Sequence, residues 1–258
     1  MTDRRPHARS VRAAFLVVAA LCLTAQSEPI LVPEVSQSRI EVRQGFIGTN
    51  LLLYGAVVAP GNARPEYDIV VVLKGPAEAI RLREKERFAG IWMNADASDF
   101  RSAPSFFAVA SSRPVKELVD ERTAAIFELG TEFIQLSPVG EIEPLKQARF
   151  ARGLVDKRRR EGLYSEYPEG VRISEGVLYQ ARINLPSNVT TGPYTAETFA
   201  ISDGRVVASA TAKIEVVKVG LEGRVVLEAN RNSLLYGTFA IILSLSMGVT
   251  AGRLFARS

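Results

Sequence analysis

The chain has 258 residues, with 32 Lys and Arg against 28 Asp and Glu, a formal net charge of +4 and 47% hydrophobic residues. It contains one Cys and one His, Cys22 and His7, and both lie near the N-terminus. The remainder of the sequence has no thiol and no imidazole. This excludes disulfides, Cys and His metal sites, and catalysis by a Ser–His or Cys–His pair. We therefore expect a protein that is not an enzyme and that holds no metal and no cofactor.

Residues 1–27 have the three-part pattern of a secretory signal peptide. Four arginines form a basic start, and 13–23 is an apolar stretch too short to favour a membrane span. Small residues around 25–27 resemble a cleavage site, and an uncleaved N-terminal anchor is the alternative. Because these arginines carry most of the excess positive charge, the charge of the chain is no evidence for nucleic-acid binding, and we expect no nucleic-acid partner.

Short β-like runs separated by turn residues follow the signal. Residues 50–58 and 68–73 are apolar enough for buried strands, and the second run is rich in β-branched side chains. Residues 80–85 alternate between apolar and charged, as an exposed strand does, and 88–94 are predicted to form a further strand. Residues 105–112 are an apolar run that fits either a strand or a short helix.

Two helices are predicted in the middle of the chain. Pro114 opens a stretch, 115–129, whose apolar residues follow helical spacing, and Gly130 supplies a stop signal. The second helix begins at Pro144 and ends before Gly162, with a run of basic residues that complements the negative end of the helix dipole.

Strands resume after residue 170. Residues 177–185 alternate well, and two further strands, 194–202 and 205–219, flank the two-residue hairpin signal Asp203-Gly204.

Strands of this length, with turn signals at this spacing, predict a mainly β protein of the Ig-like β-sandwich type. We expect residues 28–219 to form one periplasmic domain, split by a helical insertion at about 114–165. A sandwich followed by a second small β-domain is the alternative.

Residues 234–252 contain no charged side chain, and a helix of this length is sufficient to cross the hydrocarbon of a bilayer. We predict a juxtamembrane linker at 220–233, one transmembrane helix at 234–254 and a cytoplasmic tail at 255–258. Arg253 and Arg257 on the short inner side agree with the positive-inside rule. Together with the signal, this predicts a single-pass protein of a bacterial inner membrane with most of the chain in the periplasm; a buried core helix is the alternative.

Several phrases of the sequence resemble those of a known family: GFIGTNLLLYGAV (45–57), DIVVVLKGP (68–76), GIWMNADASDF (90–100), PSFFAVASSRP (104–114) and the C-terminal span. The chain is similar to a family of transmembrane proteins from alphaproteobacteria over nearly all of its length beyond the signal. This resemblance implies a membrane location and a topology, and it implies no activity.

Four residues of one segment, Trp92, Asn94, Asp96 and Asp99, are candidates for a binding site. An aromatic wall beside polar side chains would suit a peptide or a small ligand. The alternative is a core Trp followed by an Asn/Asp/Ser turn, because such residues favour local hydrogen bonds.

A second candidate site is Ser111-Ser112-Arg113, which precedes the helix opened by Pro114. Arg113 and the helix N-terminus would bind an anion. Capping of the helix by Ser112 or Ser111 explains the same residues more simply.

Small residues recur every four positions in the predicted span, at Ser244, Gly248 and Gly252, and therefore lie on one helix face. Such a face lets a second helix approach closely. It predicts contact with a membrane-embedded protein partner or a homodimer within the lipid bilayer, although small residues are common in spans generally.

Three functions are compatible with these observations. The first is a non-enzymatic accessory or assembly subunit that binds an integral-membrane partner such as a transporter. The second is a membrane-tethered sensor or carrier of a small periplasmic ligand that uses the Trp92–Asp99 segment. The third is a hydrolase with carboxylates or a Ser–Lys pair, for which no motif is present.

Overall fold

The computed structural model describes residues 29–59, 66–220 and 233–255. The predicted signal peptide, residues 221–232 of the predicted linker and residues 256–258 of the predicted tail lie outside the described residues.

Strands dominate the described part of the chain, which confirms the mainly β class. They are β1 (Ile30–Val35), β2 (Arg39–Val42), β3 (Thr49–Val58), β4 (Asp68–Lys74), β5 (Ala77–Phe88), β6 (Ile91–Pro104), β7 (Phe107–Ser111), β8 (Ser137–Pro138), β9 (Tyr164–Tyr167), β10 (Val171–Ser174), β11 (Leu178–Leu185), β12 (Gly192–Ser202) and β13 (Arg205–Lys218). The helices are α1 (Val115–Leu118), α2 (Glu121–Ile126), α3 (Pro144–Arg160) and α4 (Ser233–Phe255), with a 3₁₀ turn at Thr131–Phe133.

Two sheets form the body of the protein. One has the strand order β1-β3-β11-β10, and the other has the order β2-β13-β12-β4-β7-β9. Their pairings are antiparallel except for β2 with β13 and β7 with β9, which are parallel. Strand β1 contacts β13 and β11 contacts β7 across the two sheets. The buried side chains of both sheets belong to one core.

Strand β4 lies in the interior of the six-stranded sheet and is buried on both faces. Its residues Ile69 to Leu73 are fully buried, which fits the continuous β-branched run in the sequence. Strand β3 instead buries alternate residues, including Leu51 and Leu53, which pair with Ile183 and Ala181 of β11. Alternating burial therefore marks β3 as covered on one face, whereas continuous burial marks β4 as covered on both.

A long hairpin of β5 and β6, with β8 paired to β6, forms the third sheet. The prediction of a single strand over 88–94 is wrong. Ala89 and Gly90 have φ values of 49° and 87° and form a tight turn, so that Phe88 ends β5 and pairs with Ile91 at the start of β6. Two successive positive φ angles suit the turn that joins twisted antiparallel strands.

The helices of the central segment lie between β7 and β9, where a helical insertion was expected. The predicted single helix over 115–129 is wrong, because the backbone is extended at Val119 and a new helix begins after Asp120. The Asp120 carboxylate accepts a hydrogen bond from the Thr123 amide at 2.9 Å, so this side chain caps α2 and favours the break. The predicted second helix is confirmed as α3.

Helix α4 confirms the predicted C-terminal helix and spans 23 residues. Among the helices of the described chain, none reaches the combination of length and mean hydropathy required of a membrane span. That α4 crosses a bilayer therefore stays a prediction.

Candidate functional site

Four apolar side chains are exposed around the turn of the β5–β6 hairpin. The exposed fractions are 73% for Phe88, 68% for Ile91, 66% for Trp92 and 54% for Met93. We call these four residues the apolar tip. Several exposed large apolar side chains at one end of an element are a common mark of an interaction surface.

One face of β5 carries a row of basic side chains that leads to the apolar tip. Arg81, Arg83, Lys85 and Arg87 occur at every second position, and all four are exposed. Because neighbouring residues of a strand point to opposite faces, these four share one face, which we call the basic row. Arg87 pairs directly with Trp92 across the hairpin, so the tryptophan lies at the end of the row.

The opposite face of the hairpin is held against α3 by ion pairs. Glu84 and Asp96 are cross-strand partners. Arg149 of α3 contacts both, at 3.1 Å from Glu84 and 3.0 Å from Asp96, and Lys146 lies 2.7 Å from Asp96. The hydrogen bond from Lys146 is the largest influence that lowers the pKa of Asp96. Glu84 and Asp96 are therefore neutralised within the protein.

Two further contacts fasten the base of the hairpin to α3. The guanidinium of Arg158, which is only 15% exposed, forms an ion pair with Glu78. The rings of Phe100 and Phe150 lie 6.4 Å apart between centroids. The base is thus packed against the body, whereas the strand ends beyond Glu84 and Asp96 are exposed to solvent.

The structure places the predicted residues Trp92, Asn94, Asp96 and Asp99 along one strand, β6. Trp92 is exposed, so the alternative prediction of a core tryptophan followed by a turn is wrong. Asp96 faces α3, and Asp99 forms an ion pair with Arg81 at 3.5 Å. The register shift opposite Glu84 separates Asp96 from Asn94, which pairs with Lys85 of the basic row. A binding role for the four residues stays a prediction.

Arg113 lies apart from the hairpin residues, after β7 of the six-stranded sheet. Its guanidinium donates two hydrogen bonds to the Asp68 carboxylate, one of them 3.1 Å from Nε to Oδ1. These bonds, with one donated by Ser112 at 2.8 Å, hold the pKa of Asp68 below its usual value. Helix capping by Ser112 or Ser111 is wrong, because α1 begins at Val115 with Pro114 at the N-cap position and has no side-chain cap.

A cavity of about 510 Å³ lies beside α1 and α2, where β7 and β9 pair, and the sequence analysis did not predict it. Its lining includes the apolar Val119, Ala124 and Phe133, together with four acidic residues and one lysine. The volume is within the range of small-ligand sites. The complete lining is Val109, Ser111, Pro114, Val115, Lys116, Val119, Asp120, Glu121, Ala124, Leu129, Gly130, Glu132, Phe133, Glu166, Tyr167 and Pro168.

Glu166 is the most constrained acid of this cavity. One carboxylate oxygen accepts hydrogen bonds from the Thr131 amide at 2.7 Å and from Arg159 at 3.2 Å. Burial raises the pKa of Glu166, but these contacts outweigh burial and the pKa is lowered. Within the described ranges, no cluster of three or more His, Cys, Asp or Glu residues is arranged to hold a metal ion.

The small-residue face of α4 is open. A Cβ atom added at Gly248 or Gly252 would meet no other atom within 4 Å. The Ser244 hydroxyl donates to the Ala240 carbonyl at 2.8 Å, so its donor is satisfied along the helix itself.

The fold and these surfaces define a mainly β protein with an exposed hairpin and a C-terminal helix. A family model described as "Putative transmembrane protein (Alph_Pro_TM)" matches residues 30–257, and the chain belongs to that family. This confirms the family resemblance seen in the sequence.

Other comparisons add little. No curated protein matches the chain in sequence. Among solved structures, the crystal structure of Spo0M, a sporulation control protein from Bacillus subtilis, is similar at 11% identity and a TM-score of 0.27. The alignment covers 80% of this chain and 56% of that one, so this chain spans little more than half of Spo0M. A likeness of this degree supports no conclusion about function.

Proposed function

We propose that this protein is a non-enzymatic periplasmic domain, built as an Ig-like β-sandwich and anchored in a bacterial inner membrane by α4. Its function is to bind an integral-membrane partner, such as a transporter, as an accessory or assembly subunit. The observation that carries the proposal is the exposure of large apolar side chains along α4. Phe239, Ile241, Ile242, Leu245 and Met247 are each at least 60% exposed.

The exposed residues occupy more than one side of the helix. Successive positions of an α-helix are 100° apart, so Ile241, Ile242 and Leu243 alone point in three directions. Large apolar side chains on several sides of a helix favour an apolar environment around it. At 1.5 Å per residue, 23 residues extend about 34 Å, comparable with a bilayer core. The family description supports the same location.

The small-residue face distinguishes a helix that pairs from a helix that only anchors. Lipid covers large side chains without specific contact, whereas association of helices in a bilayer depends on close backbone approach. Ser244, Gly248 and Gly252 provide such a face, and the open space around both glycines leaves it available to a partner. The partner is an integral-membrane protein in the proposal, and a second copy of this chain is the competing occupant.

Purification of the tagged full chain in mild detergent tests this proposal. Gly248→Ile combined with Gly252→Ile should release the partner, because two large side chains separate the helices. Ser246→Ile combined with Thr250→Ile adds similar bulk to the opposite face and should leave the partner bound. Equal recovery of the partner with both double variants would refute a role for the small-residue face.

The cavity favours a second candidate function, a membrane-tethered sensor or carrier of a small ligand. Its lining contains Asp120, Glu121, Glu132 and Glu166, and the one basic lining residue is Lys116, which lies 3.5 Å from Glu132. This charge suits a small organic cation such as a polyamine. A ligand present at a concentration one hundred times its Kd raises the free energy of unfolding by about 2.7 kcal/mol.

A thermal-shift panel of organic cations tests this second function. Ala124 is 3% exposed and lines the cavity, so Ala124→Phe should abolish a shift caused by ligand binding there. The exposed Ala79 provides a matched control, because Ala79→Phe adds the same bulk outside the cavity. No shift with any cation, or a shift that Ala124→Phe preserves, would count against the cavity.

A further inference from the structure

We propose that the β5–β6 hairpin is a second membrane contact, which inserts its apolar tip into the interface of an anionic bilayer while the basic row lies on the lipid headgroups. The inference rests on the membrane anchoring proposed above, and it requires no protein partner.

The two faces of the hairpin differ in charge in the way that such a contact requires. The acidic residues Glu84 and Asp96 are paired with Lys146 and Arg149 on the face that α3 covers. The basic row lies on the other face, which is exposed. Intramolecular pairing therefore neutralises Glu84 and Asp96, and the free face is positive.

The basic charges nearest the tip are available to an external anion. In the described part of the chain, no ion pair involves Arg83 or Lys85, and the Arg87 guanidinium donates only to the Gly90 carbonyl, at 3.4 Å. The row covers about 20 Å, since residues two apart in a strand are about 6.7 Å apart. Glu86, on the opposite face, is the one acid between Glu84 and the turn.

The composition of the apolar tip favours a lipid interface over a protein groove. Tryptophan is enriched where one end of a side chain meets hydrocarbon and the other meets water. Phe88, Ile91 and Met93 add exposed apolar surface on the other face of the hairpin end, so the tip is apolar on both faces, and Ala89-Gly90 adds no charge at the turn. Basic residues near anionic lipid each contribute favourable binding, so a row of cations behind an apolar end is suited to such a surface.

The hairpin geometry explains how the tip stays accessible. Its base is fixed by the Arg158–Glu78 pair and by Phe100 against Phe150, whereas residues 85–95 are all exposed. Because the base is fixed, the tip loses little conformational entropy when it binds. The strands pair with each other up to Phe88 and Ile91, but their outer edges carry unpaired backbone groups, so the tip enters the polar interface of the bilayer and not its hydrocarbon core.

The sequence provides its own probe, since Trp92 is the single tryptophan of the chain. The full chain is reconstituted in nanodiscs of phosphatidylglycerol mixed with phosphatidylcholine, or of phosphatidylcholine alone. Co-elution with the discs tests the anchoring, and Trp92 fluorescence tests the hairpin separately. In anionic discs we expect a blue-shifted emission, weak quenching by aqueous acrylamide and strong quenching by lipids brominated on the acyl chains.

Charge-reversal variants distinguish a specific effect of the basic row from the effect of the overall charge of the protein. Arg83→Glu, Lys85→Glu and Arg87→Glu together should reduce the docked population on the order of 100-fold and return Trp92 to water. The matched control reverses three exposed cations elsewhere, Arg172→Glu, Arg182→Glu and Lys213→Glu, and should leave Trp92 in lipid.

Three results would overturn the inference. The first is Trp92 fully open to acrylamide in anionic discs that retain the protein. The second is protection from acrylamide without quenching by brominated lipid, which would indicate that a second copy of the chain covers the tip. The third is an equal loss of docking in both charge-reversal variants. Failure of the chain to co-elute with the discs would instead refute the anchoring.

Discussion

Replacement of Glu78 by Gln tests whether α3 fixes the base of the hairpin. The carboxylate of Glu78 forms an ion pair with Arg158, whose side chain is 15% exposed, against 34% for Glu78. After the substitution, the remaining carboxylate near Arg158 is that of Glu161, at 3.7 Å. The Arg158 charge would then be largely buried with weak compensation.

The expected magnitude follows from the burial of the pair. Removal of one partner from a fully buried pair costs about 3–5 kcal/mol, whereas exposed pairs contribute about 0–1 kcal/mol. The pair lies between these limits, so we expect Glu78→Gln to lower the free energy of unfolding by about 2 kcal/mol. For a domain of this size, this corresponds to a fall in Tm of about 4–8 °C.

Thermal unfolding of the full chain in mild detergent, followed by circular dichroism of the β-sheet signal, measures this effect. Glu41→Gln is the control, because it removes the Arg43 pair, whose side chains are 73% and 41% exposed. The control should change the stability by less than about 0.5 kcal/mol. If Glu78→Gln and Glu41→Gln have the same small effect, the Arg158 pair does not hold the hairpin and this reasoning is refuted.

Three further predictions concern the body of the protein, each checked by the same unfolding measurement. Gly55→Ala should abolish the native fold or lower its Tm strongly, since the new Cβ would lie 2.5 Å from the Tyr179 hydroxyl oxygen; an unchanged Tm would contradict the packing of β3 against β11. Gly153→Ala should raise the stability by about 0.5–1 kcal/mol, because its Cβ enters open space within α3, and a loss would contradict the helix assignment. The pKa of Asp68 is lowered chiefly by Arg113, so its carboxylate should stabilise the fold above about pH 4 and lose this contribution as the pH falls through its folded pKa. Asp68→Asn should lower the Tm at neutral pH and weaken the decrease of Tm with falling pH. A decrease of Tm as steep as that of the unsubstituted protein would contradict this role of Asp68.

The elements that the sequence predicted best are those in which the pattern of apolar residues matches the burial of the element. The β-branched run of β4 is buried on both faces, and the alternation over 177–185 gives β11 with its buried face. Pro144 begins α3 as expected, because proline at a first turn lacks only a donor that a helix leaves unused. In each case a local rule and the tertiary structure agree.

Local rules failed where two structures compete for the same residues. The Asp120 carboxylate caps α2 and interrupts the apolar spacing of 115–129. Ala89-Gly90 is not one of the usual hairpin dipeptides, and Ala89 adopts a positive φ that an L side chain disfavours. An apolar run across such a turn therefore resembles one buried strand.

The candidate surfaces were only partly accessible to sequence reasoning. Trp92 is a candidate binding residue from the sequence, but its exposure depends on how far the hairpin extends beyond α3. The alternating arginines and lysine of β5 were visible in the sequence and could have indicated a basic face. The cavity beside α1 and α2 joins residues far apart in the chain, and its existence depends on the break at Asp120.

Photo-crosslinking in intact cells tests the central claim most directly. A photoreactive amino acid is placed at Ser244, on the small-residue face of α4, or at Ser246, about 200° around the helix. Both serines are exposed in this chain and both are hydrogen-bonded along the helix, so they form a matched pair. The account predicts that Ser244, and not Ser246, yields an adduct with one integral-membrane protein. Adducts only with a second copy of the chain, or the same adducts from both positions, would contradict it.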